Sequence, residues 1–326
     1  MKSVKKKIAI LAMAFGCAIV VASLSRLGGV PHVTRQKEWS IGIYTGQSPL
    51  RLSSPQTIRN PVLSAEDVTD VPAKFVADPF MIRRDATWYM FFEVFNSKSN
   101  RGEIGIASSN DGLHWTYLKI VLAEPFHLSY PYVFKFGDTY YMIPESGQAR
   151  SVRLYKSEDF PVKWIFVGNL LAGKDYADSS VFRYRDKWWL FTEPRPYVND
   201  TLSLYYADSL EGPWREHPKS PIVTENPHAA RPAGRVGNFG DKLIRFAQDD
   251  RPSYGTQVWA FEIMELTPTS YKERKASAFP IIKPGEEGWN RRGMHHLDPH
   301  WISGDEWIAC VDGFQRRWGL RFYNWH

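Results

Sequence analysis

Asp78-Pro-Phe-Met-Ile-Arg-Arg-Asp-Ala-Thr-Trp88-Tyr-Met-Phe-Phe-Glu93 decides how the rest of the chain is read. An apolar run, a polar turn at Asp85 and a second apolar run predict two antiparallel strands. The same word recurs four more times at a nearly constant length. The second copy runs from Tyr130 to Glu145 around Gly137-Asp138, and the third from Asp178 to Glu193 around Asp186. The fourth runs from Arg231 to Gln248 around Gly240-Asp241, and the fifth from Asp298 to Asp312 around Gly304-Asp305. A repeat of tens of residues signals a solenoid or a propeller. Chain reversal brings the two polar bookends of each hairpin to one end, so five hairpins around an axis gather ten polar residues on one face.

Most copies are followed by further strand signals. Glu103-Ile-Gly-Ile-Ala-Ser-Ser with Trp115, Val152-Arg-Leu-Tyr with Trp164, and Leu202-Ser-Leu-Tyr-Tyr with Trp214 read as third strands, each followed by a turn and a Trp that leads into a fourth. The fold expected is all-β: a five-bladed β-propeller with four-stranded antiparallel blades, preceded by one N-terminal hydrophobic helix. The last copy is followed by too little chain to finish its blade. Trp39-Ser-Ile-Gly-Ile-Tyr-Thr-Gly resembles the third-strand motif Ile104-Gly-Ile-Ala and is expected to complete it. The organisation expected is a leader in residues 1–26, a linker with the blade-closing strand in 27–70, and the propeller in 71–326.

The leader carries Lys2, Lys5, Lys6 and Lys7 ahead of the uncharged run Ile8–Leu24 and Arg26. That pattern reads as a signal anchor, with a cleaved signal peptide as the alternative. The apolar run then places residues 8–24 in a membrane, and the lysines place the N-terminus in the cytoplasm and the propeller outside; after cleavage it would be secreted or periplasmic. The net charge of +6 is concentrated in the leader. The remainder is close to neutral, which argues against nucleic acid as a partner. Cys17 and Cys310 are the two cysteines, one of them in the leader, so no disulfide is expected in the domain.

Carboxylates at a polar funnel suit glycoside chemistry, where one acid protonates the leaving oxygen and a second carboxylate activates water or attacks the sugar. Asp78 is the candidate base or nucleophile, and Glu145 or Asp178 the candidate acid. Tyr130, Glu193, Arg231, Gln248, Asp249, His295, His296 and Asp298 are candidate substrate contacts. Neighbouring His295 and His296 point to opposite faces of an extended strand, so hydrogen bonding to substrate or to a carboxylate is expected of one of them rather than metal ligation. No cofactor and no metal are expected.

The Asp-Pro blade starts resemble the five-bladed propellers of family 43 glycosyl hydrolases. Ala77-Asp-Pro-Phe80, His127-Leu-Ser-Tyr-Pro131, Ile143-Pro-Glu-Ser146, Arg231-Pro-Ala-Gly234, Arg245-Phe-Ala-Gln-Asp249, Tyr254-Gly255 and His295-His-Leu-Asp298 resemble, in order, the N-terminal domain family of glucosamine inositolphosphorylceramide transferase. The family 43 resemblance implies a base in blade one, matched by Asp78, and an acid in blade three, where Asp178 stands. Tyr130 occupies the place of the carboxylate that would tune them. Two functions follow as expectations: a glycoside-hydrolase-like enzyme acting on a glycan or glycolipid, or a non-catalytic glycan-recognition module of a biosynthetic pathway.

Overall fold

The computed structural model describes residues 30–323. The expected N-terminal helix and membrane segment lie outside them; among the described residues no helix is long and apolar enough to cross a membrane. Five four-stranded antiparallel sheets make a five-bladed β-propeller. From the inside outward, blade 1 holds Ala73–Arg84, Thr87–Asn96, Arg101–Ser109 and Thr116–Leu122. The innermost strands of blades 2 to 5 are Ser129–Phe136, Ala177–Tyr184, Gly237–Phe239 and Leu297–Ser303. Blade 5 is completed by the N-terminal strands Val30–Ser48 and Arg51–Ser53, beside its own Glu306–Tyr323. The chain forms two compact units. Trp39–Gln315 is the larger; the smaller comprises the two chain ends, where Arg317 Nε lies 2.8 Å from Glu38 Oε2.

The apolar pattern explains how the blades pack. A sheet face normally alternates apolar with polar residues, but a blade is covered on both faces by its neighbours, so both registers are apolar. In Thr87–Asn96, Trp88, Met90, Phe92 and Val94 enter the core shared with blade 5, where they meet Ile41, Ile43 and Ile308. Phe91 belongs instead to the core shared with blade 2, beside Tyr132 and Met142. In blade 3, Trp188 and Leu190 face blade 2, while Trp189 and Phe191 face Leu243 and Ile263 of blade 4. Each such side chain contributes about 1.5–3 kcal/mol on burial. The five inner turns all need left-handed backbone, taken by Asp85, Gly137, Asp186, Gly240 and Gly304.

Arg235 holds the inner strands together. Its Nε donates to Asp298 Oδ1 of blade 5 at 2.8 Å, and its Nη2 donates to the carbonyl of Val133 in blade 2 at 2.9 Å. Asp298, fully buried, also accepts from the Met81 amide of blade 1 at 2.8 Å and from His300 Nε2 at 2.9 Å. Next to it, Gly234 passes so close to Leu297 that a Cβ would lie 1.8 Å from its carbonyl oxygen, so only glycine fits. Replacing Arg235 by Leu strands a buried carboxylate. Urea unfolding is expected to show a loss of about 3–5 kcal/mol; a change below about 1 kcal/mol would refute this role.

Candidate functional site

The site begins with a repeated irregularity of the backbone. In blades 1, 2 and 3 the inner hairpin slips register between Ala77 and Phe80, Ser129 and Tyr132, and Ala177 and Ser180. The residue inside each bulge has positive φ: Asp78 at 54°, Tyr130 at 44° and Asp178 at 48°. Bulges re-aim side chains and are common next to functional sites. A left-handed non-glycine residue costs about 1–3 kcal/mol, so the surrounding structure must hold it there. The bookend carboxylates supply part of that hold. The Asp78 amide donates to Asp312 Oδ2 of the preceding blade at 3.0 Å, and the Asp178 amide donates to Glu145 Oε2 at 3.3 Å.

Arg231 gathers the acids. Its Nε donates to Asp178 Oδ2 at 2.6 Å, its Nη2 to Glu145 Oε2 at 3.4 Å, and its Nη1 to Asn199 Oδ1 at 3.0 Å. Gln248 Nε2 adds a second donor to Asp178 Oδ2 at 2.7 Å. A second group surrounds His295, whose Nδ1 lies 2.7 Å from Asp312 Oδ1 and whose Nε2 lies 3.7 Å from Asp78 Oδ1. The imidazole stacks on Trp39, with centroids 4.0 Å apart, and meets the edge of Tyr254. Ligand atoms of Asp78, His295 and Asp312 all lie within 4.8 Å of one another, so this trio is what the described residues offer a cation. The hydrogen bond that Asp312 accepts from Nδ1 already accounts for the placing of the ring.

Burial sets the charge states. It raises the Asp78 carboxyl to about 7, helped by Asp178 and Asp312 and opposed by His295 and Arg231. It raises Glu145 well above the usual carboxyl range, with Asp178 adding to the effect and Arg231 opposing it. Glu93 is raised in the same way by burial and by its acidic neighbours. For His295, burial pulls downward, but Asp312, Asp78 and Asp178 outweigh it and the imidazole holds its proton more tightly than usual. The neighbourhood sets several buried carboxyls around one guanidinium and one imidazole, and the shifts follow from burial and from that mix of groups.

Glu145 and Arg231 line a cavity of about 530 Å³, together with His127, Asn199, Tyr254 and Tyr197. Asp78 and Asp178 are buried and do not line it. Glu193 is fully buried and holds a loop instead, accepting from the Arg195 amide at 2.7 Å and the Thr201 amide at 3.0 Å. Burial brings its carboxyl to about 7 despite those donors. Tyr130 is committed below the site: its hydroxyl accepts from the Gly234 amide at 2.6 Å and bonds to Ser180 Oγ at 2.8 Å. Asp249 serves a separate network of Gln257, Trp259, His228 and the Arg251 amide. His296 goes to the opposite side from His295, packed edge-on against Phe80 and Tyr130, and burial lowers it to about 4. Asp298 pairs in register with Cys310, as Phe80 pairs with Phe91 and Ser180 with Phe191. It therefore occupies the register of Phe80, not of Asp78, and its carboxylate turns to Arg235.

His127, Asn199 and Tyr197 lie outside the repeated words, so periodicity carried no signal for them. Asn199 stands in Asn199-Asp-Thr201, which has the form of a glycosylation sequence, a signal unrelated to its place beside Arg231.

Fold and site define a five-bladed propeller with acid clusters at one end of its inner hairpins and a cavity beside them. The chain matches the family described as "Glucosamine inositolphosphorylceramide transferase 1, N-terminal" over residues 33–314, and it belongs to that family. It is 36% identical over 296 residues to glucosamine inositolphosphorylceramide transferase 1 of Oryza sativa subsp. japonica, covering 84% of this chain and 40% of the relative. The Arabidopsis thaliana protein of the same name is 31% identical over 296 residues, covering 84% of this chain and 39% of the relative. The chain thus spans about two fifths of the curated relatives it matches. Among solved structures, a β-1,2-mannobiose phosphorylase from Listeria innocua has a TM-score of 0.59 at 14% identity, covering 83% of this chain and 96% of that one. A thermostable family-43 glycoside hydrolase has a TM-score of 0.55 at 13% identity, covering 80% and 96%. These two likenesses concern the fold.

The Asp78 shift predicts a pH dependence. Its folded pKa lies above the ordinary 3.8, so the folded protein binds this proton more tightly than the unfolded chain does. That contribution is complete below pH 3.8 and is lost as pH rises through about 7. Asn cannot ionise. The melting temperature of Asp78→Asn should therefore match the wild type near about pH 3 and exceed it by a growing margin as pH rises to about 8. A difference that does not change with pH would contradict the assignment.

Proposed function

We propose that this propeller recognises a glycan at the cavity floored by Glu145 and Arg231, as a carbohydrate-binding module of a glycan or glycolipid pathway. The observation that carries this reading is the saturation of the acids by Arg231. The guanidinium neutralises Asp178 and steadies Glu145 and Asn199, leaving a fixed array of donors and acceptors at the floor. Planar, charge-assisted partners of this kind suit the vicinal hydroxyls of a sugar. The cavity falls within the ~300–1,000 Å³ range of sites that enclose small ligands. Membership of a family named for a sugar transferase supports the same class of ligand.

A second reading, a glycoside-hydrolase-like enzyme, draws on one observation. Burial raises Glu145 at the cavity well above the usual carboxyl range and raises Asp78 to about 7, and carboxyls shifted by their surroundings are what acid–base catalysis uses. In that case Glu145 or Asp178 would donate the proton and Asp78 would act as base or nucleophile. Membrane attachment through residues 8–24, with the propeller outside the cytoplasm, remains part of the proposal because of the leader's charge pattern.

Isothermal titration with a glycan panel distinguishes the two. Recognition predicts saturable binding without release of reducing ends, and a roughly tenfold or greater loss of affinity in Glu145→Ala. Release of reducing ends by the wild type, abolished about 100- to 10,000-fold in Asp78→Asn, would establish the second reading in its place. Absence of binding to any glycan would overturn both.

A further inference from the structure

Tyr197 is the least economical residue in the described chain. Its side chain is bulky, its φ is +79°, and 93% of its surface is exposed. A left-handed aromatic residue is a genuine outlier and costs about 1–3 kcal/mol. Packing does not repay that cost, because the ring lies almost wholly in water. Tyr197 nevertheless lines the same cavity as Glu145 and Arg231.

Its loop is fastened where it matters. Glu193 accepts from the amides of Arg195 and Thr201, pinning both ends of the segment between them. The Val198 and Asn199 amides fold back on the Arg195 carbonyl at 3.1 and 3.3 Å, making a tight turn with Tyr197 at its crest. Asn199 then takes a hydrogen bond from Arg231 at 3.0 Å, so the turn is tied to the guanidinium that holds Asp178 and Glu145. Pro196, beside it, also lines the cavity.

We propose that Tyr197 is a stacking platform for a second sugar ring, so that the site selects a pyranose-containing glycan of at least two residues. One ring meets the polar floor at Glu145 and Arg231. The next lies at the rim with its C–H face on the tyrosine. The axial C–H bonds of a pyranose form an apolar face, and covering it with an aromatic ring removes both surfaces from water. The floor then selects hydroxyl pattern and the platform selects length.

This inference rests on the carbohydrate reading above, and the test separates the two. Titrate the full chain with gluco- and manno-configured mono-, di- and trisaccharides, including β-1,2-mannobiose. Compare the wild type with Tyr197→Ala, Tyr197→Trp and Tyr197→Gly. Wild type should bind the bound disaccharide or trisaccharide more tightly than its monosaccharide. Tyr197→Ala and Tyr197→Gly should lose roughly tenfold in affinity for the longer ligand and leave any monosaccharide binding unchanged. Tyr197→Trp should restore it. The Gly variant should melt no lower than wild type, since glycine relieves the positive φ. Equal affinity of wild type and Tyr197→Ala for the longer glycan overturns the platform alone. Failure of the wild type to bind any glycan overturns the platform and the carbohydrate reading together.

Discussion

The Arg231 guanidinium is the interaction on which the site depends. It is the cation between Asp178 and Glu145, and Asn199 is its third partner. Without it, acids from adjacent blades would face one another beneath the surface with no compensating charge, at a cost of several kcal/mol. With it, two blades and the loop after the third blade's inner hairpin are fixed relative to one cavity. The chain reaches this position from a fourth blade whose inner strand is only three residues, Gly237–Phe239. Before that strand the Arg231 carbonyl accepts from the Gln248 amide at 2.8 Å, which holds the backbone of Arg231 in place while its guanidinium reaches across to blades 2 and 3.

The axis below is organised by the same kind of contact. Arg235 and Asp298 join blades 4 and 5, and their remaining hydrogen bonds take in blades 1 and 2. Tyr130, Ser180 and Gly234 join blades 2, 3 and 4 through one hydroxyl cluster. Polar groups thus close the centre while apolar side chains fill the spaces between blades. This division explains how a chain so rich in aromatics keeps charged side chains at its centre.

The hairpins were legible because blade packing demands apolar residues on both faces and a left-handed residue at each turn, and both leave marks in sequence. Blade order and strand number followed from those marks. Register did not. Asp298 looks like Asp78 in sequence, since both precede a proline, yet blade 5 lacks the bulge that turns Asp78 and Asp178 toward the acids. A bulge of one residue has no compositional signature here: Asp, Tyr and Asp occupy the three that form. The same holds for the loop carrying Tyr197 and Asn199. Its role comes from where Glu193 and Arg231 hold it, and neither constraint is written in its own residues. The convergence of Arg231 with Asp178 and Glu145 was visible only as a shared end of three hairpins, without the ion pairs that define it.

One claim joins these observations: the floor of Glu145 and Arg231 receives a sugar. A crystal structure of the chain with a bound disaccharide from the titration panel tests it most directly. The account predicts one ring with hydroxyls in hydrogen-bond contact with both Glu145 and Arg231. Density for the sugar at any other surface, with this cavity holding only solvent, would contradict it.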